Sequence, residues 1–400
     1  MRVGLLFSNP PPQLGGGYTY QQDLFGSFLE LAGESRHEFH VICQPGHAGA
    51  FERTFSGMRN VRAAPMAASR APRSARSILR LVRRALQYQG DALSREGQVA
   101  KERGIHLLWS LGHYAHEAFD VPYITTVLDI QHRIQPWFPE VSHGRQWRIR
   151  EDYFQDYLRR AAYVVTGTQE GRREIERFYG IDSARIRVLP LATPRFALGE
   201  MTTDVAKRLE VLGLSPGYLF YPAQFWAHKN HVNLLHALRL LHDDYGLQYQ
   251  LVFAGADHGN ESTVREVVAE LRLGGHVRFL GFVPQDDLVA LYRGAEALTY
   301  VTFFGPDNLP PLEAYALGCP VVASDVPGAA EQLGAGALLV RPDSPREIAQ
   351  AIKHLRDDTA LRDRMRAEGR RRAESWTGND YIRGVFGIID DFEMVRRCWK

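Results

Sequence analysis

The chain has 400 residues, of which 45% are hydrophobic and 24% are charged, and its formal net charge is only +2. A chain of this length can bury more than one core, so two domains are expected. The near balance of charge argues against a dedicated nucleic-acid binder. Three distant cysteines, Cys43, Cys319 and Cys398, form neither a metal-ligand spacing nor a CxxC pair, which is typical of a reducing compartment.

The apolar segments indicate a soluble, cytoplasmic protein. The first run, residues 3–7, is too short for a signal peptide and predicts a core strand. No apolar run approaches the length that spans a bilayer.

Short apolar runs alternate with segments of helical periodicity, which predicts parallel sheets covered by helices. The predicted strands of the first half are residues 3–7, 39–42, 106–109, 123–127, 163–166 and 187–189. Those of the second half are residues 218–221, 250–254, 277–280, 297–300, 320–323 and 337–340. Two sets of six favour two Rossmann-like domains, at 1–195 and 196–375, with a break near 190–215 that prolines and glycines mark. The last residues, 376–400, predict helices.

A glycine-rich loop, with Gly15, Gly16 and Gly17, follows the first strand. Consecutive glycines let the backbone approach a ligand closely. The pattern is not GxGxxG, so it is not a dinucleotide fingerprint. A plain turn before a helix is the alternative.

Arginines recur from Arg53 to Arg84, and no acidic residue occurs from Arg53 until Asp91. Within 74–88 the arginines and the apolar residues can sort onto two faces of a helix, which suits an anionic membrane surface. An ordinary solvated helix face is the alternative. Nucleic acid is disfavoured because no aromatic residues interleave with the arginines.

Polar residues follow two predicted strands at the ends where sites of parallel sheets usually lie. Asp129 and His132 follow the strand at 123–127, and Lys229 lies in the polar loop after the strand at 218–221. Taken alone, His132 is more simply a structural histidine, and Lys229 an exposed lysine. Thr168, after the next strand of the first half, is a candidate helix N-cap.

Residues 304–325 predict a loop, a helix opened by Pro310 and Pro311 and ended at Gly318, and a buried strand. The amides near Asn308, Leu309 and Leu312 would face a positive helix end, which suits a phosphate. Glu313, one turn inside, could bind a pair of vicinal hydroxyls such as those of a ribose. The alternative is one more unit of an α/β domain, with Glu313 solvated.

These segments resemble, in order, the retaining glycosyltransferases of family 4, and the match is most specific from 221 to 325. In that family two glutamates flank seven residues before a Gly-Cys-Pro-Val-Val-Ala-type strand. Glu313 matches the second glutamate, whereas the first falls on Gly305, and Asp307 is the nearest acidic replacement. Lys229 matches a lysine that neutralises the leaving nucleoside diphosphate, and Gln224 stands where an arginine is expected.

The resemblance extends to the first half. Gly16 and Gly17 match a glycine pair that faces the donor, and Asp129 and His132 match part of a His-Asp-Leu-x-His stretch in which Leu128 replaces the first histidine. In the second half, Val283 matches a residue whose backbone borders the nucleobase. The Gln-Phe-Trp-x-His-Lys-Asn-His loop is similar to that of mannosyltransferases of surface-polysaccharide assembly.

The resemblance implies a GT-B architecture: two Rossmann-like domains that face a cleft, with the terminal helices returning to the first. The implied reaction moves a hexose, with mannose from GDP-mannose as the best match, to a glycan or lipid-linked glycan with retained configuration. It implies Lys229, Glu313, Asp129 and His132 as catalytic residues. No metal or cofactor is implied beyond a GDP- or UDP-sugar as substrate. Two alternatives stay open: a GT-B nucleotide-sugar epimerase, and a non-catalytic subunit that binds a partner glycosyltransferase.

Overall fold

A computed structural model describes residues 1–6, 16–67, 94–111, 120–199 and 204–399, with the backbone alone for 16–19. It contains two parallel sheets. The first has the order β3-β2-β1-β4-β5-β6-β7 and the second the order β10-β9-β8-β11-β12-β13. The two parallel-sheet domains confirm the predicted α/β class.

The strands of the first sheet are β1 (Arg2–Leu6), β2 (Glu38–Cys43), β3 (Val61–Pro65), β4 (Leu107–Ser110), β5 (Tyr123–Thr126), β6 (Tyr163–Thr166) and β7 (Ile186–Val188). Those of the second are β8 (Tyr218–Pro222), β9 (Leu251–Ala254), β10 (Val277–Phe279), β11 (Ala295–Tyr300), β12 (Val321–Ser324) and β13 (Ala337–Val340). Twelve of them match predicted strands. The thirteenth, β3, was missed.

The helices of the first domain are α1 (Gly16–Leu31), α2 (Ala48–Thr54), α3 (Arg95–Glu102), α4 (Gln131–Ile134), α5 (Pro139–Ser142), α6 (Gln146–Arg160) and α7 (Gln169–Tyr179). The helices that follow β7 are α8 (Arg195–Leu198), α9 (Val205–Val211), α10 (His231–Tyr245), α11 (Glu261–Glu270), α12 (Gln285–Gly294), α13 (Leu309–Ala316), α14 (Ala329–Leu333), α15 (Pro345–Asp357), α16 (Thr359–Ser375) and α17 (Gly378–Arg396).

The first sheet is covered on both faces. One face packs against α1 and α17, in a core that includes Phe28 and Ile389. The other packs against α6 and α7 through residues such as Leu158 and Ile175. The strands of the second sheet share a separate core with α10, α12 and α15. Because strands buried on both faces need apolar side chains throughout, their sequences are continuous apolar runs.

The terminal segment is a single helix, α17, that packs on the first domain. A capping box starts it: the Thr377 backbone N–H donates to the Asp380 carboxylate, and the Thr377 side chain accepts from the N3 backbone. Just before it, the Trp376 indole donates to the carbonyl of Pro190 at 2.9 Å. The chain therefore crosses back to the first domain at this point.

The predicted basic helix at 74–88 lies outside the described residues. Of the arginines between 53 and 84, Arg53 lies on α2 and Arg62 on β3, and both are exposed. Within the described ranges, no helix combines the length and the apolar character needed to cross a membrane.

Candidate active site

The lysine loop, residues 223–230, leads from β8 to α10 at the carboxyl edge of the second sheet. Asn230 adopts a left-handed conformation with φ of 60°. Its side-chain amide donates to the carbonyls of Val301 and Pro342, each at 2.7 Å. These bonds fix the loop against the end of β11, so the position of Lys229 is set by buried polar contacts.

Lys229 is linked to the first turn of α13 through one tyrosine. The Lys229 ammonium donates to the Tyr300 hydroxyl at 2.9 Å, and that hydroxyl donates to Asn308 Oδ1 at 3.1 Å. Asn308 is the N-cap of α13. The structure therefore brings together the cation and the helix end that the sequence placed 79 positions apart, counting from 229 to 308.

One of the amides expected to be free at this helix end is occupied. The Asn308 N–H donates to Gln332 Oε1 at 2.9 Å, and the Gln332 side chain donates back to the Asn308 carbonyl at 2.8 Å. Pro310 and Pro311 carry no N–H. No hydrogen bond to the Leu309 amide is found among the described residues, so Leu309 supplies the free donor there.

Gly305, where the first family glutamate is missing, has a backbone conformation that suits glycine. Its φ is +120°, and a Cβ built there would lie 2.9 Å from Asn308 Nδ2. A side chain at this position is disfavoured by both strain and space.

Asp307 points across the cleft to the first domain. It is 9% exposed, and its Oδ2 has no hydrogen-bond partner in the described part of the chain. A Cβ built on Gly167 would lie 1.6 Å from that oxygen, so the carboxyl lies directly against the Gly167 backbone. Burial raises the pKa of Asp307 to about 7, and the charges of Asp129 and Glu331 add to the increase.

Glu313 is buried one turn inside α13, with 7% of its surface exposed. Its Oε2 accepts a hydrogen bond of 2.6 Å from the Tyr292 hydroxyl. Burial raises the pKa of Glu313 to about 7; the bond from Tyr292 opposes this increase, and the charge of Asp23 on α1 adds to it. A carboxyl this deep can bind only a ligand that enters the cleft.

Asp129 and His132 have different surroundings. Asp129 remains about one-third exposed, accepts the Gln131 N–H at 3.0 Å and lies 3.7 Å from Arg150. His132 has no exposed surface; its Nε2 lies 3.2 Å from Glu151 Oε2 and 3.0 Å from the Tyr179 hydroxyl. Burial lowers the pKa of His132. The structure therefore places Asp129 near the cleft and His132 in the core of the first domain.

The remaining predicted residues differ in their surroundings. Gly16 and Gly17 form the first turn of α1, and the loop before them lies outside the described residues. Gln224 Oε1 accepts from the Trp226 indole at 3.0 Å. Val283 is half buried beside Phe282, which is 59% exposed. Thr168 caps α7 by accepting the Gly171 N–H at 3.0 Å. The ligand-binding roles of these residues remain predictions.

Several residues of the site carry no recognisable sequence signal. Gln332 lies on α14 and Glu140 on α5, two short helices that contain no motif. Tyr300 ends a predicted strand at its carboxyl edge, a position that could have indicated it. Across the cleft, Glu331 accepts the Gln169 N–H at the start of α7, at 2.8 and 2.9 Å.

In the described ranges, one group of His, Cys, Asp and Glu residues is compact enough to hold a metal: His37, Asp390 and Glu393. His37 directly precedes β2, at the amino edge of the first sheet, and the two acidic residues lie on α17. Arg36 pairs with both acidic residues at 2.8 Å. The positive charge of Arg36 therefore satisfies both carboxylates, and these ion pairs hold α17 against the first domain.

Two family models match the chain: "Glycosyltransferase Family 4" over residues 29–193 and "Glycosyl transferases group 1" over residues 208–372. Among solved structures, sucrose-phosphate synthase from Thermosynechococcus elongatus is 17% identical, with a TM-score of 0.69 and 98% of each chain covered. HepE from Anabaena, in complex with UDP and glucose, is 17% identical, with a TM-score of 0.65, 98% of this chain covered and 100% of that one. The structural likenesses show the GT-B fold, and both family models describe glycosyltransferase domains.

Within that class, the chain belongs to glycosyltransferase family 4, as its sequence predicted. It is 28% identical to O-antigen chain mannosyltransferase B of Escherichia coli over 60% of this chain and 63% of that protein. It is 30% identical to the D-inositol 3-phosphate glycosyltransferase of Nocardia farcinica (strain IFM 10152) over 58% of this chain and 52% of that protein. The matched region thus spans about half to three-fifths of these curated relatives.

Proposed function

We propose that the protein transfers a hexose from a nucleoside diphosphate sugar to an acceptor hydroxyl with retained anomeric configuration. The observation that carries this proposal is the chain of contacts from the Lys229 ammonium through Tyr300 to Asn308. It places a fixed cation beside the N-terminal end of α13, where the Leu309 amide is the free donor. A leaving diphosphate gains charge in the transition state, and positioned positive groups stabilise that charge most where water is excluded.

The buried carboxyls suit the hydroxyls of the donor. Glu313 would hold the ribose, and the unpartnered oxygen of Asp307 would accept a hydrogen bond from a hydroxyl of the transferred sugar. Asp129, Gly16 and Gly17 would close over the donor from the first domain. No side chain is assigned as a nucleophile.

The mannosyltransferase relatives support mannose from GDP-mannose as the donor, and a glycan or lipid-linked glycan of polysaccharide or lipopolysaccharide assembly as the acceptor. Several structural neighbours contain UDP or a UDP-sugar, so a UDP donor is the competing choice. We place the protein in the cytoplasm, in peripheral contact with an anionic membrane through residues 53–84.

The test is donor turnover by the purified chain with GDP- and UDP-sugars, together with thermal shift. Lys229→Ala is expected to lower kcat/KM by roughly 100-fold to 1,000-fold, the usual effect of losing one transition-state donor. Lys353→Ala, which removes an exposed lysine paired with Asp357, is the control. An unchanged rate in Lys229→Ala would refute the assigned role. Failure of every sugar nucleotide to bind would refute the function.

A non-catalytic binding subunit is the second candidate, because the Gly305 backbone leaves no room for the missing glutamate. Such a subunit would bind a nucleotide without consuming its sugar. An epimerase would convert the donor without an acceptor, and product analysis separates all three.

A further inference from the structure

His228, the residue before Lys229, joins the lysine loop to the loop that leads into α13. Its carbonyl accepts the Phe303 N–H at 2.8 Å and the Thr302 hydroxyl at 3.1 Å. Its ring stacks on Phe304, with centroids 3.9 Å apart and planes within 9°. A displacement of His228 would therefore disturb both walls of the predicted diphosphate site.

The first domain contacts His228 through Glu140 on α5. Glu140 Oε1 accepts the His228 backbone N–H at 2.9 Å and contacts the ring Nδ1. Next to it, the Phe138 ring packs against Phe303 and Phe304 at 5.6 and 5.5 Å, and Gln135 donates to the Phe303 carbonyl at 3.0 Å. The segment 135–140 thus reaches across the cleft and is seated on the lysine loop.

Burial and hydrogen bonding set the protonation states of His228 and Glu140 at this contact. Burial, with a smaller effect of the Lys229 charge, lowers the pKa of His228 to about 4, although Glu140 and Asp129 oppose the decrease. Burial favours a higher pKa for Glu140, but the hydrogen bonds from His228 and from the Glu140 backbone N–H outweigh burial and lower that pKa. A neutral histidine therefore donates to an ionised carboxylate. Such charge-assisted bonds are about twice as strong as neutral ones.

Apart from its own backbone N–H, the Glu140 carboxylate has no partner other than His228 in the described part of the structure. Its Oε2 is buried and has no hydrogen-bond partner there. The carboxylate is therefore oriented by His228, and the backbone N–H of His228 in turn depends on Glu140.

We propose that Glu140 is a positioning residue that acts through His228 to hold the Lys229 ammonium at the end of α13. Contact between the two domains then completes the diphosphate site on the second domain. The proposal rests on the proposed function, because it assigns a purpose to the position of Lys229. A misplacement of about 1 Å at a reacting centre can lower a rate by about 100-fold.

The test compares Glu140→Ala and Glu140→Gln with Glu176→Ala, which removes a glutamate paired with Arg172 on the surface of α7. We expect Glu140→Ala to lower kcat/KM for the donor by about 10-fold to 100-fold. Glu140→Gln, which can still accept the His228 N–H, should retain more activity. Glu176→Ala should stay within twofold of the parent chain. Equal activity in all three variants would overturn the proposal.

A second measurement separates positioning from a general loss of structure. Affinities for GDP and UDP are measured by calorimetry for Glu140→Ala with and without Lys229→Ala. If Glu140 acts through Lys229, its removal weakens binding in the parent chain but not in the Lys229→Ala background. An equal weakening in both backgrounds would contradict this route. Should Glu140→Ala fail to fold, Glu140→Gln supplies the same comparison.

The two proposals fail differently. A parent chain that binds neither nucleotide refutes the proposed function, and the role of Glu140 with it. A parent chain that binds a nucleotide and turns over its sugar, with no effect of Glu140, leaves the function in place and removes the positioning role.

Discussion

Gly167 is predicted to be the residue on the first domain that makes room for Asp307. A Cβ added at Gly167 would lie 1.6 Å from Asp307 Oδ2 and 2.8 Å from its Cγ, whereas ordinary contact begins at 3.4 Å. In Gly167→Ala, the carboxylate oxygen must therefore move by about 2 Å or the domains must separate. If Asp307 binds the transferred sugar, either response removes it from its ligand.

The expected loss follows from that displacement. A misplacement of about 1 Å can lower a rate by about 100-fold, so kcat/KM for the donor should fall at least 100-fold in Gly167→Ala. Overpacking of this kind costs about 1–3 kcal/mol of stability, which leaves a chain of this size folded. Steady-state sugar release and thermal unfolding are measured on the same samples. Gly46→Ala is the matched control, because no atom lies within 4 Å of its new methyl group.

The route of the effect is tested with Asp307→Ala. Removing the carboxylate leaves the new methyl group nothing to displace, so Gly167→Ala should have no further effect in the Asp307→Ala background. Gly167→Ala with activity within twofold of the parent chain would refute the reasoning. An equal loss in both backgrounds would show that Gly167 acts on something other than Asp307.

Two further predictions concern the same loop. Because the folded pKa of Asp307 is about 7, above its ordinary value of 3.8, the native state binds more protons between these values and loses stability as the pH rises through that window. In thermal unfolding at pH 8, Asp307→Asn should therefore be more stable than the parent chain, by on the order of 1–4 kcal/mol in the free energy of unfolding, with the gain vanishing toward pH 4. An exposed control, Asp343→Asn, should show no such gain. Gly305→Glu should lower stability by about 1–3 kcal/mol and should not increase turnover, since φ is +120° there, whereas Gly275→Glu, in open space, should be neutral. Increased turnover in Gly305→Glu would contradict this account of the missing glutamate.

Most of the fold could be predicted because strands buried on both faces are recognisable in the sequence as continuous apolar runs. The missed strand, β3, has the sequence Val-Arg-Ala-Ala-Pro and lies at the edge of its sheet. Alanine and proline are poor strand formers, and proline is tolerated at an edge, where one side of the ladder is unpaired. This strand is held by its pairing with β2, from Phe39 with Val61 to Cys43 with Pro65, which local sequence does not reveal.

In the site, too, some features could be predicted from the sequence and others could not. The approach of Lys229 to Asn308 could be predicted, because the loops after neighbouring parallel strands meet at one edge, and β8 pairs with β11. The partners of these residues could not. Gln332, Glu140 and Glu151 contact Asn308, His228 and His132 from distant or unpatterned positions. The sequence placed His132 after a strand end, but whether its ring faces the cleft or the core depends on packing.

Three buried acidic residues lower the stability of the protein when they are ionised, and packing alone does not explain their presence. Burial raises the pKa of Asp307, Glu313 and Glu174 to about 7 in each case. None of the three forms a salt bridge within the described residues, so their ionised forms destabilise the empty protein near neutral pH. Carboxylates accept hydrogen bonds from hydroxyls, and a sugar nucleotide supplies hydroxyls at both its ribose and its hexose. If the proposed donor binds here, its hydroxyls would face Asp307 and Glu313, and its anionic diphosphate would face Lys229.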